Sequence, residues 1–94
     1  MSITIRFIGS FRSFSGKNKL VINLKRKTRL KDVIEEIVEK HPKLKGALIG
    51  PWLDRFGTNA LILVNGNEIS ILDGLATTLK DGDEVVFVPV LHGG

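Results

Sequence analysis

Few side chains in this 94-residue chain could do chemistry. The two histidines are His41, placed ahead of Pro42, and His92, near the end, and the chain has no cysteine to pair with either. A thiol nucleophile, a thiolate metal site and a disulfide are therefore excluded. Ser10, Ser13 and Ser15 lie in a Gly- and Ser-rich stretch with no base nearby and no nucleophile-elbow context. Asp81, Asp83 and Glu84 crowd together without the spacing of a calcium loop, and Lys80-Asp81-Gly82-Asp83 reads as a turn. No phosphate-binding or dinucleotide fingerprint occurs. Catalysis by this chain alone is not expected, and no metal or stably bound cofactor is expected either.

The main chain offers what the side chains do not. The sequence closes on Gly93-Gly94 directly after an apolar run, Glu84 to Leu91. Two glycines place a bare carboxylate on a slim stem that another protein's backbone can approach closely. A carboxylate resists nucleophiles until one oxygen becomes a good leaving group, and adenylation by ATP achieves that. Gly94 is thus the expected point of covalent activation, with Leu91, His92 and Gly93 as the recognised tail. Four residues from Leu91 reach at most about 14 Å, enough to enter a partner's cleft.

Behind the tail, hydrophobic periodicity predicts the scaffold. Ile3, Ile5 and Phe7 alternate with Thr4 and Arg6, giving a half-buried first strand; Leu20, Ile22 and Leu24 give a second, paired with it as a hairpin. The intervening stretch from Gly9 to Gly16 reads as a loop with Phe11 and Phe14 tucked beneath it. Leu30, Val33, Ile34, Ile37 and Val38 then form one helical stripe, predicting a helix near residues 29–40 with Thr28 as N-cap and Pro42 beyond its end. Leu44, Leu48, Ile49 and Trp52 suggest a short helical turn interrupted by glycines. Leu61 to Val64 reads as a strand, Asn65-Gly66 as a hairpin turn, Glu68 to Ile71 as a short return, and Glu84 to Val90 as the final strand. The expected architecture is α+β: a mixed sheet crossed by one main helix, first and last strands side by side at its centre. A helix on one face leaves the other wet, so one Val pair of the last strand, taken as Val86 and Val88, becomes a partner surface.

Composition agrees with one globular domain over 1–94 carrying a flexible tail at 91–94; 43% of residues are apolar. No run approaches a membrane span, and Met1 to Arg6 lacks the features of a signal peptide, so a soluble cytoplasmic protein is expected. Charge is uneven. Residues 1–31 hold nine Lys or Arg and no acid, whereas residues 32–94 hold five bases and ten acids, balancing to the net +4. A basic half attracts nucleic acid or acidic partners, and it equally protects strand edges from aggregation.

The element order, the segment Leu79-Lys80-Asp81-Gly82-Asp83-Glu84-Val85-Val86-Phe87-Val88-Pro89, His41-Pro42, Val64-Asn65-Gly66 and Gly93-Gly94 together resemble the ubiquitin-like β-grasp sulfur carriers. These comprise the small subunit of molybdopterin synthase, the archaeal small modifier proteins and the ubiquitin-related modifier that thiolates tRNA, whose tail Leu91-His92-Gly93-Gly94 is similar. His92 is bulkier than the residue molybdopterin-synthase subunits carry there, and the Gly46–Gly57 insertion is closer to the archaeal modifiers. The resemblance implies that a ubiquitin-activating-type enzyme adenylates Gly94 at the expense of ATP and that a sulfurtransferase helps convert it to a thiocarboxylate. The sulfur would pass to molybdopterin, with the synthase large subunit as acceptor, or to tRNA through a thiolating enzyme; conjugation to lysines of other proteins is also implied. The alternative is a small basic RNA-associated domain, or a structural interaction domain, with an incidental diglycine.

Overall fold

A computed structural model describes residues 1–48 and 60–89. Strand β1 (Ser2–Phe7) leads through a short helix α1 (Ser10–Ser15) to β2 (Lys19–Asn23) and β3 (Thr28–Arg29). Helix α2 (Leu30–Lys40) and helix α3 (Lys43–Leu48) follow, then β4 (Ala60–Val64), β5 (Asn67–Glu68), β6 (Thr78–Leu79) and β7 (Glu84–Pro89). The main sheet has the order β2-β1-β7-β4-β5. Strand β7 runs parallel to β1, with Ile5 opposite Val85 and Phe7 opposite Phe87, and antiparallel to β4, with Leu61 opposite Val88. First and last strands are central neighbours, as the sequence predicts. A separate two-stranded ladder joins β3 to β6.

One apolar cluster accounts for the burial. Ile3, Ile5 and Phe7 from β1, Val85 and Phe87 from β7, and Ile62 and Val64 from β4 meet Leu30, Val33, Ile34 and Ile37 of α2. Helix α2 thus buries the stripe its spacing marks. The Phe7 and Phe87 rings stack at 5.9 Å between centroids and 17° between planes, which ties the two central strands together inside the core.

Several local expectations are corrected. Residues 10–15 are helical rather than loop: Gly9 (φ 59°) opens the turn, Gly16 (φ 74°) closes it by donating to the Arg12 carbonyl at 2.8 Å, and buried Phe11 holds it down. Phe14 is not tucked away but 40% exposed. Thr28 does not cap α2; it pairs with Leu79, and Arg29 occupies the cap position without a side-chain bond. Glu68 to Ile71 does not return as a full strand. Only Asn67–Glu68 pairs with β4, because the Glu68 carboxylate accepts the Ser70 N–H and bends the chain into a 3₁₀ turn over Ile69–Ile71. The predicted turn containing Leu44 is α3, with Leu44 fully buried; Ile49 and Trp52 lie outside the described residues.

Candidate functional site: a central strand that delivers the tail

Strand β7 lies between β1, which pairs with it from Glu84 to Phe87, and β4, which pairs with it from Val85 to Pro89, so its last residue, Pro89, sits opposite Ala60. Gly9 closes over the same point: a Cβ added there would lie 3.1 Å from the Pro89 ring, so only glycine fits without displacement. Val90, Leu91, His92, Gly93 and Gly94 fall outside the described residues. Covalent geometry limits five residues beyond Pro89 to a span of at most about 17 Å.

The other end of β7 is fixed by a polar network. Asp83, 6% exposed, accepts from the Lys80 N–H and from Asn65 Nδ2, both at 2.9 Å. Asn65 Oδ1 in turn accepts the Glu84 N–H at 2.9 Å, and the Glu84 carbonyl accepts the Asn65 N–H at 2.8 Å. Asn65 takes a positive φ of 50°, which Asn tolerates better than most residues. Asp81 accepts the Ser2 N–H at 2.7 Å, and Glu84 pairs with Arg6 at 2.7 Å. The carboxylates that crowd in sequence thus serve as acceptors that lock two turns to the start of β7.

On the sheet face away from α2, Val86 and Val88 are half-buried rather than fully exposed. Leu63 stands beside Val86 and Leu61 beside Val88, while Ile8 donates its N–H to the Phe87 carbonyl and so borders Val88. Ile8 and Leu61 are 43% and 40% exposed. The result is a continuous apolar strip running up to the point where the tail leaves. Sequence reasoning found the Val pair by alternation; it missed Ile8, Leu61 and Leu63, whose contribution depends on register. His41, at the C-terminal end of α2, donates its N–H to the Ile37 carbonyl at 2.9 Å and takes a helix-terminal role.

A sheet of this order and direction, gripped by one main helix, defines a ubiquitin-like β-grasp protein. The ThiS family model matches residues 5–94, so the match runs through the diglycine. Small archaeal modifier protein 3 of Haloferax volcanii is 32% identical over 94 residues, covering the whole of both chains. Ubiquitin-related modifier 1 of Schizosaccharomyces pombe is 34% identical over 100 residues, again covering both completely. A solved chain from Pyrococcus furiosus, assigned as subunit 1 of molybdopterin converting factor, superimposes with a TM-score of 0.77 at 30% identity, covering 97% of this chain and 99% of its own. The chain belongs to the ThiS family of ubiquitin-like sulfur carriers and modifiers. Members of this family are small carriers or non-catalytic subunits that work with partner proteins. No helix among the described residues is long and apolar enough to cross a membrane.

Proposed function

We propose that the chain is a cytoplasmic carrier activated at the Gly94 carboxylate. A carboxylate oxygen of Gly94 attacks the α-phosphorus of ATP in a partner adenylating enzyme, pyrophosphate leaves, and an acyl-adenylate forms. A sulfide-level donor then attacks the acyl carbon, AMP leaves, and the product is a thiocarboxylate. Where the donor is a sulfurtransferase persulfide, the first product is an acyl disulfide, and a thiol reductant must cleave it. ATP is consumed by the partner and not held by this chain. The observation that carries the reading is the family match extending through Gly94 from a strand clamped between two others.

The strip of Val86, Val88, Leu61 and Leu63 is the surface by which partners hold the body while the tail enters their site. Apolar area beside an extended tail supplies affinity without obstructing it. Two acceptor chemistries fit the relatives' names. Attack by a lysine amine on the acyl-adenylate gives the conjugation expected of a modifier. Transfer of the thiocarboxylate sulfur gives the product expected of a molybdopterin subunit. Transfer to tRNA follows the same sulfur chemistry. The test is incubation with a cognate activating enzyme and ATP: wild type forms the adenylate, while deletion of Gly94, or one residue added after it, abolishes it with the fold intact. Equal activation of the Gly94 deletion would overturn the proposal.

A further inference from the structure

Strand β2 is an edge, and its outer rim is open among the described residues. The Phe7 N–H donates to the Asn18 carbonyl, and Leu24 exchanges bonds with Met1 in both directions. With the register Ile5 opposite Leu20 and Ile3 opposite Ile22, alternation of an antiparallel ladder turns the backbone groups of Leu20 and Ile22 inward to β1. Those of Lys19, Val21 and Asn23 point outward, where no further strand meets them among the described residues. Beside this rim lies a groove of about 450 Å³ between β2 and the C-terminal half of α2, with Leu20, Ile22 and Ile37 as its apolar floor. Lys17, Lys40 and His41 line it too, and Glu36, the one acid among its described lining residues, is already paired with Lys40 at 3.2 Å. Lys17 and Lys19 flank one end of β2 and Lys25, Arg26 and Lys27 the other, none with an acidic partner among the described residues.

We propose that this edge and groove bind an extended peptide segment of a partner protein, added as a strand to β2, with alternate apolar residues and acidic residues at its ends. Each part of the site has a matching part in that ligand. The open N–H and C=O groups supply ladder hydrogen bonds, and the groove takes every second side chain, because residues i and i+2 of an added strand point the same way. The unpaired lysines at both ends select acids, and with them long-range attraction. A second copy of the chain fits poorly: antiparallel self-pairing centred on Val21 sets Lys17 against Lys25, and like charges directly opposite are unfavourable. Single-stranded nucleic acid would find the charge but no Phe, Tyr or Trp on which to stack among the groove's described lining residues, His41 being the one ring there. The site lies on the edge of the sheet opposite β5 and is separate from the Val86–Val88 strip, so it can hold a partner while the tail is being used.

The probe is the fluorescein-labelled peptide Glu-Asp-Val-Thr-Ile-Thr-Val-Asp-Glu, titrated into the full chain by fluorescence anisotropy and mapped by amide chemical shifts. Saturable binding is expected, with shifts confined to residues 17–27 and 36–41, and with a scrambled peptide and a lysine-flanked version binding at least about tenfold more weakly. Val21→Pro removes an outward N–H that the fold does not use, a tolerated place for proline on an edge strand, and should weaken binding about tenfold. Should that variant lose its fold, Lys17→Glu with Lys19→Glu, at two exposed positions, gives the decision: weaker binding at low salt, and a difference that narrows as salt rises. Equal binding of the scrambled peptide, an unchanged affinity in a folded Val21→Pro, shifts centred on Val86 and Val88, or tighter binding of oligouridylate to the same residues would each overturn the proposal.

Discussion

Asp83→Ala probes the network that fixes β7, and its cost can be worked from the contacts. The Asp83 carboxylate accepts two hydrogen bonds at 2.9 Å, one from the Lys80 backbone and one from the Asn65 amide. A bond to a charged group contributes about 1.5–3 kcal/mol. Both donor residues are exposed, so water can partly replace the lost acceptor, which puts each bond at the lower end, about 1.5 kcal/mol. Removal of a buried carboxylate returns part of its desolvation cost, leaving a net loss of about 2–3 kcal/mol. For a domain of this size that is roughly a 10–20 °C fall in Tm. Asp83→Asn keeps one acceptor oxygen but turns an NH₂ group towards a donor, so it should cost about 1.5 kcal/mol. Urea unfolding followed by circular dichroism, with the m-value unchanged, gives the free energies. A double-mutant cycle with Asn65→Ala should show coupling of about 1–2 kcal/mol, because the two side chains share a bond. A loss below about 0.5 kcal/mol for Asp83→Ala, the ordinary range of a surface substitution, would refute the assignment of this carboxylate as the organiser of both turns.

Gly9→Ala should destabilise by about 1–2 kcal/mol through its positive φ and the crowding of Pro89, whereas Gly16→Ala, also at positive φ but with open space around it, should lose less; equal values in urea unfolding would show that the Pro89 approach contributes nothing. Val86→Asp and Val88→Asp should each cost about 1 kcal/mol of stability, since Asp suits a strand poorly. Each should raise the KM of the activating enzyme for this chain at least about tenfold while leaving kcat nearly unchanged. A KM equal to wild type in both would remove the sheet face from the partner interface.

The parts of the fold that repeat a simple period were legible in the sequence. Leu30, Val33, Ile34 and Ile37 could only face one way on a helix, and all four are buried. Strand β7 was legible because Val85 and Phe87 alternate with Val86 and Val88. The two-residue strands β3 and β6 were not, since Thr28 and Leu79 carry no local pattern and meet across about fifty residues of chain. Helix α1 is Ser-rich and six residues long, too short to form from propensity; tertiary burial of Phe11 decides it. For the site, residue types pointed to the tail, which lies outside the described residues, and alternation placed Val86 and Val88 on the outer face of the sheet. The groove between β2 and α2 depends on which face of an edge strand meets the last turns of a helix, which only the assembled sheet reveals.

The central claim is that Gly94 carries the transferred sulfur, and intact-protein mass spectrometry tests it most directly. The full chain is incubated with its adenylating enzyme, ATP, a persulfide donor and a thiol reductant, beside the Gly94 deletion and Gly93→Val. Wild type should gain the mass of one oxygen replaced by sulfur, fragment analysis should place that change on Gly94, and both variants should remain unmodified. A wild-type chain that keeps its original mass under conditions where the same system thiocarboxylates another family member, or equal sulfur incorporation in the Gly94 deletion, would contradict it.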